Sequence, residues 1–175
     1  MANAIFDFVI LKSKSFVGTQ EQKLAALNAK IMRLQEDMQI SADRRARPLT
    51  FSSFCNPSGK HTHFPELHGI KARHIRYLVP VISQICKEEF EPSKLYTYHR
   101  MKMLEHLASL RKTIDEADFH HFSQEEANCF SAAVQHFLAH YTKCSRILYD
   151  EGSRYRYNTV TKFHNLATCL KELNT

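Results

Sequence analysis

The stretch SQEEANCFSAAVQHFLAHYTKCSRILYDEG, residues 123–152, carries the clearest structural pattern in the chain. Ser123 and Glu126 have the spacing of a capping box, in which each side chain accepts a hydrogen bond from the other residue's backbone amide. Apolar residues recur along the stretch at intervals of three or four, which places them on one stripe of a helix. Gly152 suits the left-handed conformation that ends many helices. The stretch therefore predicts a long amphipathic helix over residues 123–151.

The overall composition also favours a helical protein. The chain has 175 residues, of which 43% are hydrophobic and 24% charged, with only four glycines and five prolines. These values are typical of a globular protein and exclude an intrinsically disordered one. The formal net charge is +6, which favours anionic partners such as DNA or RNA.

The cysteines and the first apolar run bear on the cellular compartment. The apolar run at residues 5–11 is too short to span a bilayer and lacks the features of a signal peptide. The cysteine count is odd, the spacings are wide and no CxxC pair occurs, which predicts reduced thiols. We expect an intracellular protein, nuclear or cytoplasmic, with no membrane partner. The cysteines are Cys55, Cys86, Cys129, Cys144 and Cys169.

Residues 19–47 are predicted to form the first long helix, with Thr19 as its cap. Its apolar residues follow a heptad spacing, which suits either a core-facing helix or a seam for self-association. The core-facing interpretation is favoured, because the seam is shorter than the roughly three or four heptads typical of a coiled coil. The seam residues are Leu24, Leu27, Ile31, Leu34 and Met38.

Three more helices are predicted from apolar periodicity, and a linker separates them from the first helix. Pro80 is expected to kink or divide the helix in which it falls. Residues 48–68 are rich in Pro, Gly and Ser and predict the linker. Residues 1–18 fit either a strand or a frayed helix. The three helices are predicted over residues 70–90, 93–114 and about 159–173.

These segments predict an all-α fold. We expect four to five amphipathic helices in a bundle-like or orthogonal array, with a flexible N-terminal arm and a Pro/Gly/Ser linker. The predicted division of the chain is an arm with the heptad-like helix over residues 1–47, the linker over 48–68 and a helical domain over 69–175.

No residue pattern identifies a reaction. His136 and His140 have a spacing that can clasp a metal, but the zincin glutamate is absent because residue 137 is Phe. Cys144 follows His140 by one turn, but a cysteine inside a helix lacks the setting that forms a thiolate. Nothing supports a self-contained enzyme, and no catalytic residue, metal or cofactor is predicted. A zinc-finger spacing is also absent from Cys55, His61, His63 and His68.

Three groups of basic residues are candidates for phosphate contacts, with a solvated surface as the alternative for each. One group ends the first predicted helix, and the second begins the helix over residues 70–90, where cations oppose the helix dipole. The third lies in SRYRYN, residues 153–158, where tyrosines could stack on bases. The candidates are Arg44, Arg45, Arg47, Lys71, Arg73, Arg76, Arg154 and Arg156.

Two further stretches resemble a known family. LHGIKARHIRYLVPVI, residues 67–82, resembles a segment of CACTA-like transposases and their domesticated relatives, and YNTVTKFHNLA, residues 157–167, resembles a later element of the same proteins. Their order, with the helix between them, is similar to transposon-derived hypothetical proteins of dinoflagellate genomes. The resemblance covers about residues 65–173.

The resemblance implies a link to DNA. In such families this helical region accompanies an RNase H-like domain whose carboxylates hold two metal ions for strand cleavage and joining. The resemblance makes Lys162 and His164 candidate nucleic-acid-binding residues. Lys71 and Pro80 are structural markers of the same resemblance. Residue 168 is Thr where the family has a second histidine. We expect a fragment or decayed copy without catalytic activity.

Two functions follow as hypotheses. The first is a non-catalytic helical fragment of a transposase-like protein that binds nucleic acid through the basic residues. The alternative is a helical protein-interaction module that uses the seam of residues 24–38.

Overall fold

Four α-helices account for most of the residues that the structure, a computed structural model, describes, namely 4, 5, 7, 9, 16–53, 70–116 and 123–152. Short 3₁₀-helical turns at Ala42–Arg44 and Phe51–Ser53 lie between the first two helices, and the described residues contain no β-strand. The predicted all-α fold is confirmed. The helices are α1 (Gln20–Asp37), α2 (Ala72–Glu89), α3 (Leu95–Glu116) and α4 (Gln124–Asp150).

Consecutive helices run antiparallel. Early residues of one helix lie against late residues of the next, so the end of α1, the start of α2 and the end of α3 meet at one end of the bundle. We call this the basic end, because basic residues of all three segments lie there. The pairs that establish the direction are Lys30–Glu89, Arg44–Tyr77, Arg76–Asp115, Lys87–Glu105, Tyr96–Cys144 and His106–His136.

Helix α2 supplies the centre of the core. Leu78, Ile82 and Ile85 expose 1% of their surface or less. Burial of each such side chain contributes about 1.5–3 kcal/mol, so α2 holds α1 and α3 together mainly by apolar contact. Pro80 lies inside α2 but does not divide it, since the helix is continuous from Ala72 to Glu89.

The predicted helix over residues 123–151 is confirmed as α4. The Ser123 hydroxyl accepts from the Glu126 amide at 3.2 Å, and a Glu126 carboxylate oxygen accepts from the Ser123 amide at 2.7 Å. Gly152 has a positive φ of 81° just beyond the helix. The buried side of α4 follows the predicted apolar stripe through Val134, Phe137, Cys144 and Leu148.

Helix α1 ends ten residues before the predicted Arg47. It stops at Asp37, and Gln39 then takes a positive φ of 54°, which turns the chain. Tertiary bonds hold this turn: the buried Gln35 side chain accepts from the Ala46 amide at 2.6 Å, and Arg45 Nε donates to the Ile40 carbonyl at 2.8 Å. The prediction failed here because such contacts have no local sequence pattern.

The heptad-like seam of α1 faces the core. Leu24, Leu27 and Ile31 are buried in the same core cluster as α2, while Leu34 is half-buried and Met38 is 39% exposed. The favoured core-facing interpretation is therefore confirmed. Most of the apolar surface that a second copy would need is already covered within the chain.

Helix α3 does not bury all of its large apolar residues. Leu104 and Leu110 are buried, but Leu95 and Ile114 are 62% and 48% exposed. Their places in the core are taken by Met103 and by polar residues of the first turns, Thr97, His99 and Arg100.

Arg100 explains why that side of α3 is buried. Its guanidinium pairs with Asp7 and lies 4.0 Å from the Phe90 ring centroid and 5.3 Å from that of Tyr96. The Tyr96 hydroxyl also donates to Asp7, at 2.9 Å. We call Asp7, Phe90, Tyr96 and Arg100 the Arg100 cluster. Because the cation and the carboxylate balance one another, a charged residue is tolerated inside the apolar core.

The N-terminal segment is helical at Ala4, Ile5, Asp7 and Val9, so the strand alternative is wrong for these residues. Ile5 and Val9 share the core cluster with α2 and α3. Most of the predicted linker and the predicted last helix lie outside the described residues. The domain boundaries therefore stay predictions.

Candidate nucleic-acid interface

Tyr77, on the second turn of α2, brings two arginines together at the basic end. Arg44 Nη1 donates to the Tyr77 hydroxyl at 2.9 Å, and its guanidinium carbon lies 5.3 Å from the ring centroid. The guanidinium of Arg111, from the last turns of α3, lies 4.6 Å from the same centroid. Cations at these distances are attracted to the negative face of an aromatic ring. One tyrosine of α2 thereby brings together arginines from two other segments of the chain.

Asp115 neutralises only part of this charge. Its carboxylate pairs with Arg76 and also with Arg111, whose Nε lies 2.8 Å from the nearer oxygen. The side chains remain 44% exposed for Arg76, 25% for Arg111 and 23% for Asp115. We call Arg44, Arg76, Tyr77, Arg111 and Asp115 the Tyr77 cluster. With three cations and one carboxylate, this cluster is net positive and open to solvent.

A groove of about 490 Å³ opens beside the Tyr77 cluster. The turn after α1 forms one wall, where Gln39 has its positive φ, and Tyr77 and Pro80 of α2 form another. Apolar side chains and a few convergent polar groups are the usual composition of a ligand site. The lining residues are Met38, Gln39, Ile40, Ser41, Arg44, Tyr77, Pro80 and Arg111.

The second predicted basic group lies along the same end of α2. Lys71 is the exposed N-cap residue, and its backbone carbonyl accepts from the His74 and Ile75 amides at 2.9 and 3.1 Å. Arg73 is exposed, and its Nε donates to His74 Nε2 at 3.2 Å. Because Arg73 is four residues before Tyr77, it lies on the same face of the helix as the Tyr77 cluster.

The other predicted basic residues differ in their positions. Arg45 is held in the turn by the Ile40 carbonyl and by Glu36, at 3.0 Å from Arg45 Nη1. Arg47 is exposed beyond that turn. The remaining predicted residues lie outside the described residues: Arg154, Arg156, Lys162 and His164.

Sequence reasoning missed Arg111 and Tyr77. Both lie in helices that were predicted, but neither stands in a basic run. The only signal was the mixed face of α2, where Tyr77 follows Arg73 and Arg76. Arg111 carries no such signal, because its place beside Tyr77 depends on how far α3 extends along α2.

Two of the three described thiols, those of Cys86 and Cys144, are buried and poorly suited to nucleophilic chemistry. Burial raises the pKa of the Cys86 thiol to about 12. Cys144 is also buried, and its Sγ donates to the Tyr96 carbonyl at 3.9 Å. His140 contacts His99 on α3, with 2.8 Å between their Nδ1 atoms.

Two remaining findings concern metals and membranes. Across the described ranges, no three or more His, Cys, Asp or Glu side chains are arranged to hold a metal ion. No helix in this part of the chain is long and apolar enough to cross a membrane.

The Tyr77 cluster is thus a basic surface assembled from separate segments of the chain, and it must be interpreted from its own geometry. No protein-family model, curated protein or solved structure matches the chain.

Proposed function

We propose that the chain is a non-catalytic helical domain that binds nucleic acid through its basic end, as a fragment of a transposase-like protein would. The observation that carries the proposal is the convergence of Arg44 and Arg111 on Tyr77, in the helix that also bears Arg73 and Arg76. Residues far apart in sequence form one basic surface there. Such a surface attracts phosphates and speeds association with polyanions.

The exposed cations would contact the phosphate backbone. Arg44, Arg73 and Lys71 are exposed, and the two arginines donate only to neutral groups in the bonds described above, the Tyr77 hydroxyl and the His74 ring. Arginine forms two parallel hydrogen bonds with a phosphate, and its charge persists at every physiological pH. Release of counterions from the nucleic acid would then supply most of the affinity.

The groove beside Tyr77 would accept an unpaired base. Met38 and Pro80 provide apolar contact, while Ser41 and Gln39 offer hydrogen-bonding groups. Bases stack on aromatic rings and on guanidinium planes, at about 1–3 kcal/mol per base. We therefore expect single-stranded DNA or RNA, or duplex with an unpaired end, to bind more tightly than blunt duplex.

The proposal includes no catalytic step. The Cys86 and Cys144 thiols are buried, and the sequence contains no recognised nucleophile or nucleotide-hydrolysis motif. A role in binding is the simplest function that the exposed arginines support.

Fluorescence anisotropy with labelled single-stranded and duplex DNA over a salt series tests this function. We expect Arg44→Ala combined with Arg73→Ala to weaken binding at low salt by about tenfold or more. The slope of log affinity against log salt should fall by about one for each phosphate that the variant no longer neutralises.

The matched control is Arg33→Ala combined with Arg146→Ala. Both arginines are more than four-fifths exposed, and each pairs with an aspartate four residues later, at 3.7 and 4.0 Å. This control removes the same number of positive charges as the test variant, but at positions away from the basic end. Equal losses in the two double variants would mean that only net charge matters. No binding by the unmodified chain at low salt would overturn the proposal.

A further inference from the structure

A second group of titratable residues lies between α3 and α4, away from the basic end. His99 and His106 come from α3, and His136 and His140 come from α4. The ring centroids are 5.1 Å apart for His99 and His140, and 4.9 Å apart for His106 and His136. His106 also stacks on His140, at 5.6 Å. We call these four residues the histidine cluster.

The contact between His99 and His140 restricts how many protons the pair can hold. Their Nδ1 atoms are 2.8 Å apart, so one must donate and the other must accept. A neutral pair meets this requirement when one of the two Nδ1 atoms carries a hydrogen. A singly charged pair meets it in the same way. If both rings are imidazolium, two N–H groups face each other, since both nitrogens of a charged histidine are donors. The second proton therefore breaks the contact.

The stacking of His106 adds a second restriction. Its ring plane is inclined by 19° to that of His136 and by 12° to that of His140. Ring nitrogens have their lone pairs in the ring plane, so these nearly parallel rings do not converge on one metal ion. Charges on neighbouring rings at this separation would repel each other.

The surrounding charges give a proton little support. Lys102 of α3 and Lys87 of α2 pair with Glu105, at 2.8 and 3.2 Å, so this carboxylate is already balanced. Lys143 of α4 adds a further positive charge that acts on His99 and His140. Tyr98 makes edge contacts with these two rings, with centroids at 5.3 and 6.1 Å. The buried Cys144 lies one turn beyond His140.

We propose that the histidine cluster is a proton-operated switch, which packs α4 against α3 while its rings are neutral and loosens that interface when it takes up two or more protons. The interface is sensitive because α3 and α4 pack along most of their lengths around these rings. Histidine is the residue whose charge changes near physiological pH, so mild acidification is enough to operate the switch.

The pKa directions agree with this geometry. Burial is the main cause that lowers the pKa of His99, His106 and His140, and the next causes are Lys143, His136 and His99 respectively. The folded state therefore binds these protons more weakly than the unfolded chain. Stability is fully present above the ordinary value of 6.5 and is lost as the pH falls through that value toward the lower folded values.

Urea unfolding of the full chain at pH 7.5 and pH 5.5 provides the first test. We expect acidification to raise the unfolding equilibrium constant several-fold more in the unmodified protein than in His106→Gln combined with His140→Gln, because the double variant lacks two of the rings that bind protons more weakly in the folded state. His74→Gln, at the basic end, is the control and should keep the full response. An equal response in the double variant and the unmodified protein would overturn the proposal.

If the double variant does not fold, histidine ¹⁵N spectra of the unmodified protein test the proposed switch instead. We expect one of His99 and His140 to be the Nδ1–H tautomer at pH 8, and amide exchange in α4 to accelerate as the cluster titrates below pH 6.5. Independent titration of all four rings at their ordinary pKa, with no change in α4 exchange, would contradict the switch.

Discussion

The Tyr77 cluster and the Arg100 cluster use the same side-chain chemistry at opposite ends of the bundle. In each, guanidinium groups lie about 4–5 Å from an aromatic centroid and pair with an aspartate. Their burial differs: the side chains of Arg100 and Asp7 are 1% and 0% exposed, whereas those of Arg111 and Asp115 are 25% and 23% exposed.

That difference in burial predicts different roles for the two clusters. A buried ion pair cannot exchange its partner for water, so removing one member leaves an unpaired charge in the core. An exposed pair is screened and contributes little to stability, but its arginines can leave the aspartate for a phosphate. We therefore propose a structural role for the Arg100 cluster and a binding role for the Tyr77 cluster.

Asp7→Ala should have the largest effect on stability. The substitution leaves the Arg100 charge buried without its carboxylate, which should cost about 3–5 kcal/mol of unfolding free energy. Urea denaturation measures the loss. Asp37→Ala, which removes the exposed partner of Arg33, is the control and should cost less than about 1 kcal/mol. Equal losses would mean that burial does not distinguish the two pairs.

Replacing both members of the buried pair sharpens the same point. Asp7→Leu combined with Arg100→Met should recover much of the stability lost in Asp7→Ala, since apolar residues of similar volume often replace a buried pair without loss. Failure of the double variant to exceed Asp7→Ala in stability would indicate that the two side chains are needed for packing rather than for charge balance.

The two tyrosines test the division of roles directly. Tyr77→Ala should lower the affinity for single-stranded DNA by about tenfold, because a stacked base contributes about 1–3 kcal/mol. Tyr96→Phe removes the hydroxyl that donates to Asp7 and should cost about 1 kcal/mol of stability, with unchanged affinity. Anisotropy and urea unfolding are measured for both variants. A loss of affinity in Tyr96→Phe, or unchanged affinity in Tyr77→Ala, would contradict this division of roles.

Asp115→Asn should have the smallest effect, and of opposite sign. Without this carboxylate, Arg76 and Arg111 become available to phosphate. We expect the affinity for DNA to rise about two- to fivefold, because a surface ion pair contributes up to about 1 kcal/mol. Glu116→Gln makes the same charge change one residue away, where Glu116 meets Lys112 at 3.8 Å. Anisotropy measures the affinity of both variants. An identical gain in affinity would mean that the effect comes from net charge alone.

Prediction from sequence was most successful where the signal was local. The capping box of Ser123 and Glu126 and the apolar stripe of α4 act within a few residues, so both were visible in the sequence and are present in the structure. The end of α1 was wrong by ten residues, because Gln35 and Arg45 end it through bonds to a returning chain. Local propensity carries no information about that return.

The candidate site was only partly predictable. Runs of Arg and Lys identified Arg44, Arg73 and Arg76, but nothing in the sequence joined them to Tyr77 or Arg111. The histidines were noticed as a possible metal clasp within α4, whereas the contacts of His140 are with α3. The missing information was the register between helices.

By itself, the sequence determined the helical class, the position of α4 and the basic character of the chain, because periodicity, caps and charge are properties of neighbouring residues. Only the tertiary structure decided which charges are buried and which remain exposed. Packing of the α2 core sets the register of α3 against α2 and α4, and that register brings Arg111 to Tyr77 and His99 to His140. Packing of the N-terminal segment buries Arg100 against Asp7, whereas the turn after α1 leaves Arg44 open to solvent.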